Sequence, residues 1–399
     1  MLKSFFSFIK LKPVLSVGFL LACSSLLFGT WVAAIPGIKE RLAFTDGSLG
    51  LSLLLSPLGA ITGVFISTKV FGRIPVGRWL LAGYIILAII MVLQINAVNR
   101  PMFWICLYFF GLTSFLNGVS VNATVNILEQ KYNRLFMSTC HALYSLGGAV
   151  SAGLAAFMFA VHVPSGLQIV FVALVIVAIN VINRDHLLAN NDIIHSGSGI
   201  TLPSLSVLGI SFICMVLFMA EGCVADWSAI YFKESMNAPK AVVSLGYAGF
   251  CIAMTIGRLN GDDITSRVGN KKTVISGCLL ATVGFAVVVL SQSVLLAIAG
   301  YIIIGFGCCC IVPVLFRSSS IIPGLSKVEG FAMVSTGGLI GFLAGPSLIG
   351  FISEKASLSK GLSLLIVMLL LAAVVAWRNQ FLDNQSTGVA SEDFDEQLF

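Results

Sequence analysis

The chain has 399 residues, of which 58% are hydrophobic and only 10% charged, with a net charge of +6 and a mean hydropathy of +1.01. A soluble domain spends roughly 25% of its residues on charge to cover its surface, so this composition excludes a water-soluble globule and names lipid as the solvent. About 20 residues cross the hydrocarbon layer as a helix, and the chain has room for about twelve such spans with short loops.

Apolar runs bounded by charge, Pro or Asn clusters predict helices over 13–35, 48–68, 77–98, 101–128, 137–160, 167–183, 204–231, 240–261, 272–290, 294–317, 328–353 and 361–377. The first run follows Lys3, Lys10 and Lys12 and lacks a small-residue cleavage site with a polar flank. It reads as a retained span, not a removed signal peptide. The sixth is the shortest. Basic residues gather on the cytoplasmic side of a membrane. Of the 23 Lys and Arg, sixteen fall in segments on the N-terminal side and seven (Lys39, Arg41, Arg100, Lys233, Lys240, Lys355 and Lys360) on the other. Both termini are therefore expected in the cytoplasm. The positive balance belongs to this topology and to anionic headgroups; no basic groove with interleaved aromatics points to nucleic acid.

The domain plan follows: an N-terminal six-helix lobe over 1–183, a flexible cytoplasmic linker over 184–203, a C-terminal lobe over 204–378 and an acidic, disordered tail over 379–399. Ten cysteines all sit in or beside apolar runs, so a disulfide framework is not expected. The run Cys308 to Cys310 reads as small, polarizable packing in a helix. An internal repeat supports two halves. Gly83 and Gly111 are 28 residues apart, as are Gly277 and Gly305, and Ser145-Leu-Gly147-Gly148 recurs as Ser335-Thr-Gly337-Gly338. Six spans repeated in parallel is the plan of transporters whose lobes rock about a central site.

A charge inside the membrane is costly and usually faces a partner or a wet cavity, which keeps the list of candidates short. Glu221 lies within the seventh span, with Asp226 five residues on. Five residues turn a helix by about 500°, so the two carboxylates point roughly 140° apart. A carboxyl sheltered from water can gain and lose a proton as a cavity changes sides, which makes Glu221 the candidate proton carrier; the alternative is a carboxylate that fixes the bundle. Asp226, beside Trp227, is either a second coupling group or a structural one at the cavity mouth. In the fourth span Asn122, Asn126 and Glu129 share one face. Asn amides both donate and accept, which suits a neutral polyol or sugar, and they equally serve as glue between helices. Glu129 is expected to anchor an inner gate with Arg134 or Lys131. His141 opens the fifth span as a proton relay or a structural residue. Arg258 and Asp262, four apart on one face, are expected to pair and latch the lobes. Trp31, Tyr144 and Trp227 are aromatics that stack on a substrate or simply pack.

These residues stand in stretches that resemble a known family. The run "WVAAIPGIKERL" with "DGSLG", then "NATVNILEQKYNRLFMSTCHALYSLGG", "EGCVADWSAIYF", "GRLNGDDITSRVGNKK", and "IVPVLF" with "STGGLIGFLAGPSLIGF" look like the major facilitator superfamily, in its bacterial MosC-like branch and, more distantly, fucose permease-type symporters. The resemblance implies an all-α membrane protein of twelve transmembrane helices in two pseudo-symmetric lobes, set in a bacterial inner membrane. It departs from the family's signature loop in the first half, where Thr68 or Lys69 stands in place of the acidic residue. Arg267, Gly269, Lys271 and Lys272 match in the second half, with Asp262 and Asp263 about one turn early.

Nothing in the sequence supports catalysis, a metal centre or nucleotide hydrolysis, and no cofactor is expected. The expected function is secondary transport of a small solute by alternating access, with protons as coupling ion, as a monomer in the bilayer. Its cargo would be a sugar, polyol or related polar metabolite. The alternatives are an exporter of amphipathic compounds and a non-transporting receptor or assembly factor on the same scaffold.

Overall fold

The computed structural model describes residues 10–133, 136–189, 207–319, 322 and 327–383. Among the described residues, twelve helices are long and apolar enough to cross a membrane. They are α1 (Lys12–Arg41), α2 (Asp46–Leu53, resuming after Leu54 as Leu55–Phe71), α3 (Val76–Ile95), α4 (Arg100–Tyr132), α5 (Met137–Ala160) and α6 (Ser165–Ile182). In the second half follow α7 (Leu208–Ile230), α8 (Leu245–Val268), α9 (Asn270–Leu290), α10 (Val294–Cys308, resuming as Ile311–Ser319), α11 (Lys327–Lys355) and α12 (Leu358–Arg378).

The ends are set by local chemistry. Asn99 accepts from Met102 N at 2.9 Å to start α4, Ser357 accepts from Lys360 N at 3.3 Å to start α12, and Thr45 with Ser48 forms a reciprocal capping box at α2. Gly269, at φ 89°, ends α8 in a conformation that side chains rarely adopt and turns the chain into α9. The largest departures from the expected bounds are α8, which runs over Leu245–Val268 where 240–261 was expected, and α1, which runs through Pro36 to Arg41. The proline read as a stop is absorbed within the last two turns. The helix α10 breaks at Cys309 and Cys310, whose sulfurs are 3.4 Å apart, and all ten cysteines are buried and in no disulfide.

The same helix pairings occur twice. Helices α1 and α5 pack as α7 and α11 do, α2 and α4 as α8 and α10, and α3 and α6 as α9 and α12. Glycines at equal register make these crossings. A side chain at Gly111 of α4 would run into the Ser56 carbonyl of α2; a Cβ at Gly305 of α10 would lie 2.5 Å from the Phe250 carbonyl oxygen of α8. Likewise Gly147 lies on Ala22 O and Gly337 on Ser211 O. Two halves join where α2 packs on α11, α5 on α8 and α1 on α7. Outward-facing positions are large and apolar, as at Leu290 (81% exposed) and Ile182 (78%), a surface that only lipid covers favourably.

The segment read as a linker begins with a short helix, Arg184–Leu188, whose Leu187 is buried. It then passes outside the described residues. The acidic tail likewise lies outside them beyond Asp383, which pairs with Lys271 at 2.9 Å.

Candidate functional site

Where α5 meets α8, polar side chains gather between the halves. His141, Tyr144, Ser145 and Gly148 follow the i, i+3, i+4, i+7 spacing of one helical face. On α8, Tyr247, Cys251 and Arg258 fall on one stripe in the same way. The Arg258 Nη1 donates to Ser145 Oγ at 3.2 Å across the interface. Gly148 allows the close approach, because a Cβ there would lie 2.8 Å from Ser25 Oγ and 2.9 Å from Cys251 Sγ.

Glu221 of α7 faces this cluster. Its Oε1 is shielded from solvent and has no hydrogen-bond partner among the described residues. The Arg258 guanidinium acts on it electrostatically, and on His141. Glu221 in turn acts on Tyr144 and Tyr247. No ion pair within 4.0 Å joins Glu221 and Arg258. They are opposite charges in one compartment but not in contact. The side chain of Asp262, expected to pair with Arg258, lies outside the described residues.

Asp226 points elsewhere, as the helical geometry predicts. It interacts with Trp31 of α1, and Trp31 is buried with its ring 5.8 Å from that of Phe103. Trp227 is fully enclosed; a Cβ at Gly350 of α11 would lie 3.1 Å from its ring. Asn122 and Asn126 are exposed on one face of α4, with Gln130 donating to Asn126 Oδ1 at 3.0 Å. Glu129 caps α5: its Oε1 accepts from Phe136 N at 2.5 Å and Met137 N at 2.7 Å. Lys131 sits over the Tyr132 ring at 5.8 Å, and Arg134 lies outside the described residues. Arg267 is exposed in the last turn of α8.

One feature at the opposite end of the interface escaped the sequence reading. Lys39 of α1 lies 2.5 Å from both Asp46 of α2 and Glu234, which follows α7 in a wide π-helical turn over Tyr231–Ser235. Lys233 pairs with Glu40 at 2.5 Å. Thr45 donates to Glu354 at 3.1 Å, Ser353 donates to Asp46, and Ser347 donates to Gly50 O at 3.1 Å. Arg100 holds the α1–α2 turn in place through Leu42 O at 3.0 Å and Ala43 O, with its guanidinium 4.8 Å above Phe44. The signal was present as a repeat. Lys39-Glu40 and Lys233-Glu234 are the same dipeptide 194 residues apart, the separation of Gly83 from Gly277, and they pair crosswise.

Twelve spanning helices among the described residues, packed twice in the same order around a polar interface, define a membrane protein of two similar halves. The chain belongs to the major facilitator superfamily, whose profile matches residues 17–316 and 210–394. It is 33% identical over 347 residues to an uncharacterized MFS-type transporter of Yersinia pestis, covering 87% of this chain and 90% of that one. With membrane protein MosC of Rhizobium meliloti it shares 26% over 389 residues, 95% and 92% of the two chains. The fold is also that of a mutant form of the nucleoside transporter NupG (TM-score 0.72, 12% identity, 92% of this chain and 99% of that one). A bacterial homologue of the human lysosomal transporter Spinster, inward-facing and unoccupied, gives a TM-score of 0.69 at 14% identity, covering 94% and 98%.

Proposed function

We propose that this protein is a proton-coupled secondary transporter that carries a small hydroxylated solute across a bacterial inner membrane by alternating access. The lobes over 1–183 and 204–378 rock about the cluster between α5, α7 and α8, and both termini face the cytoplasm. The observation that carries this reading is the shielded, unpartnered Glu221 Oε1 beside Arg258. A sheltered carboxyl without a fixed partner has a reason to take a proton, and one at the lobe interface meets each side of the membrane in turn. The exposed Asn122 and Asn126 supply donors and acceptors for hydroxyl groups. His141 and Tyr144 border the same space, as relay and stacking surface. Trp31 and Trp227 shape its far end around Asp226. The identity with MosC supports placement in that branch.

In this reading Lys39, Glu40, Lys233 and Glu234 close the periplasmic side. Glu129 and Arg134, with Asp262 and Arg267, take the gating role at the cytoplasmic end. Uptake of sugars and polyols into proteoliposomes, with and without an imposed pH gradient, tests it. The expected result is accumulation that follows the gradient and is lost in Glu221→Gln. Flux that ignores the gradient and survives that substitution would remove the proton from the mechanism.

A further inference from the structure

We infer that the transported solute bears a carboxylate, that Arg258 receives it, and that its binding is linked to protonation of Glu221. This rests on the reading of the α5–α7–α8 cluster as the transport site. The starting point is a charge without a matching contact among the described side chains. Arg258 is half-buried at the interface between the halves, and its hydrogen bond runs to Ser145, a neutral hydroxyl. No carboxylate whose side chain is described lies within 4.0 Å of it, although Glu221 is near enough to act on it through space. A guanidinium presents a planar fork that matches a carboxylate in two hydrogen bonds. Here Ser145 holds the fork at one nitrogen, where α5 meets α8 between the halves.

The charges around Glu221 decide what enters. Among the described side chains, the titratable groups coupled to it are Tyr144 from α5, Tyr247, Cys251 and Arg258 from α8, and Cys308 from α10, while His141 of α5 is coupled to Arg258. Cys214 lies on its own helix. The described charges of α1, α11 and α12, which also pack on α7, stand at helix ends, as at Lys39, Glu354 and Arg378. Arg258 is therefore the one fixed cation in this set. With Glu221 ionised the pair is neutral and repels an anion from the carboxylate side. A proton from the open side adds to the Glu221 carboxylate, and the remaining +1 at Arg258 takes the solute's carboxylate as counter-ion. Proton and anion enter together with no net charge, so the loaded site crosses the low-dielectric interior as a neutral unit. Asn122 and Asn126 read the hydroxyl groups of the same molecule. A hydroxylated monocarboxylate fits both features, where a polyol alone leaves Arg258 uncompensated.

The test compares matched scaffolds that differ only in the acid: gluconate against sorbitol, and glycerate against glycerol. Binding to the purified full chain is measured by calorimetry at pH 5.5 and pH 8, with proton uptake read by an indicator in weak buffer. The expected result is binding of the acids at least about tenfold tighter than of the polyols, an energy of ~1.4 kcal/mol, with one proton taken up per anion. Arg258→Gln should abolish that preference and Arg258→Lys should recover part of it. Glu221→Gln should bind the acid without proton uptake and without pH dependence. Equal binding of acid and polyol, or acid binding unchanged in Arg258→Gln, overturns the inference, as does no binding of any of the four. If Asp262→Asn and Arg258→Gln both leave acid binding intact while slowing transport equally, Arg258 is a latch and the inference fails. The transport reading fails separately: gradient-driven sorbitol uptake without gluconate uptake removes the carboxylate but keeps the coupling, whereas gluconate uptake indifferent to the gradient does the reverse.

Discussion

The interface between the halves treats charge in two opposite ways. At the far face every described carboxylate in the network has a partner: Lys39 lies between Asp46 and Glu234, Lys233 holds Glu40, and Glu354 takes the Thr45 hydroxyl. At mid-depth Glu221 and Arg258 face each other without touching, and Glu221 Oε1 accepts nothing. Burial alone does not explain this, because Lys39 is itself well buried, with a side chain 10% exposed. The difference lies in what each set must do. Paired charges lock one arrangement of the lobes, and pairing them tightly raises the cost of leaving it. Charges kept apart cost the folded state energy, and in the proposed mechanism that cost is recovered when a proton or solute arrives. Under that proposal the chain separates a clamp from a loading site along one interface.

The comparison breaks most sharply at Glu221. Glu221→Gln keeps the shape and removes the exchangeable proton. Accumulation driven by one unit of pH gradient should fall by about tenfold, the ratio that one proton per solute sustains, while solute exchange without a gradient persists. Measuring both in the same proteoliposomes checks it. Next is Lys39→Met, which leaves Asp46 and Glu234 facing each other. Losing one member of a buried pair costs about 3 kcal/mol, the lower end of the usual range because Glu234 is 39% exposed. The population should shift towards a far-face-open state. A cysteine at Ser347, whose hydroxyl now meets Gly50 O across the interface, should become reactive to an impermeant maleimide added from that side. Unchanged labelling would mean that the clamp is ornamental.

The twelve spans and the duplication were legible because hydrophobic runs and small residues at crossings leave local marks. Gly147 and Gly337 could be matched by eye before their contacts with Ala22 and Ser211 were known. The clamp was not, although Lys39-Glu40 and Lys233-Glu234 are equally plain as a repeat. Charges at span ends ordinarily belong to the membrane surface, and only the packing of α1 and α2 against α7 and α11 brings them across to each other. Glu129 shows the same limit in reverse. Its i, i+4, i+7 register with Asn122 and Asn126 was correct, yet its contacts are the backbone amides of Phe136 and Met137, because the left-handed turn at Asn133 (φ 49°) folds the start of α5 back onto it. Register along a helix is a local property; the partner across a turn is not.

Two weaker changes sharpen the comparison between clamp and loading site. Trp31→Phe keeps the ring against Phe103 and removes the indole N–H that interacts with Asp226. The expected loss is about 1.5 kcal/mol, typical of a hydrogen bond to a charged group, seen as a lower midpoint of thermal unfolding in detergent. Asp226→Asn in the same background should recover part of it, because a neutral amide is cheaper to leave unbonded than a carboxylate. Smallest of all is the outer member of the crossed pair. Glu40 is 73% exposed at its side chain, so solvent and salt screen its attraction to Lys233. Lys233→Glu alone should raise far-face labelling only slightly, and adding Glu40→Lys should return it to the starting level at low salt and make no difference at 1 M. Recovery at both ionic strengths would mean that this pair acts through shape and not through charge, which would leave Lys39 as the sole electrostatic member of the clamp.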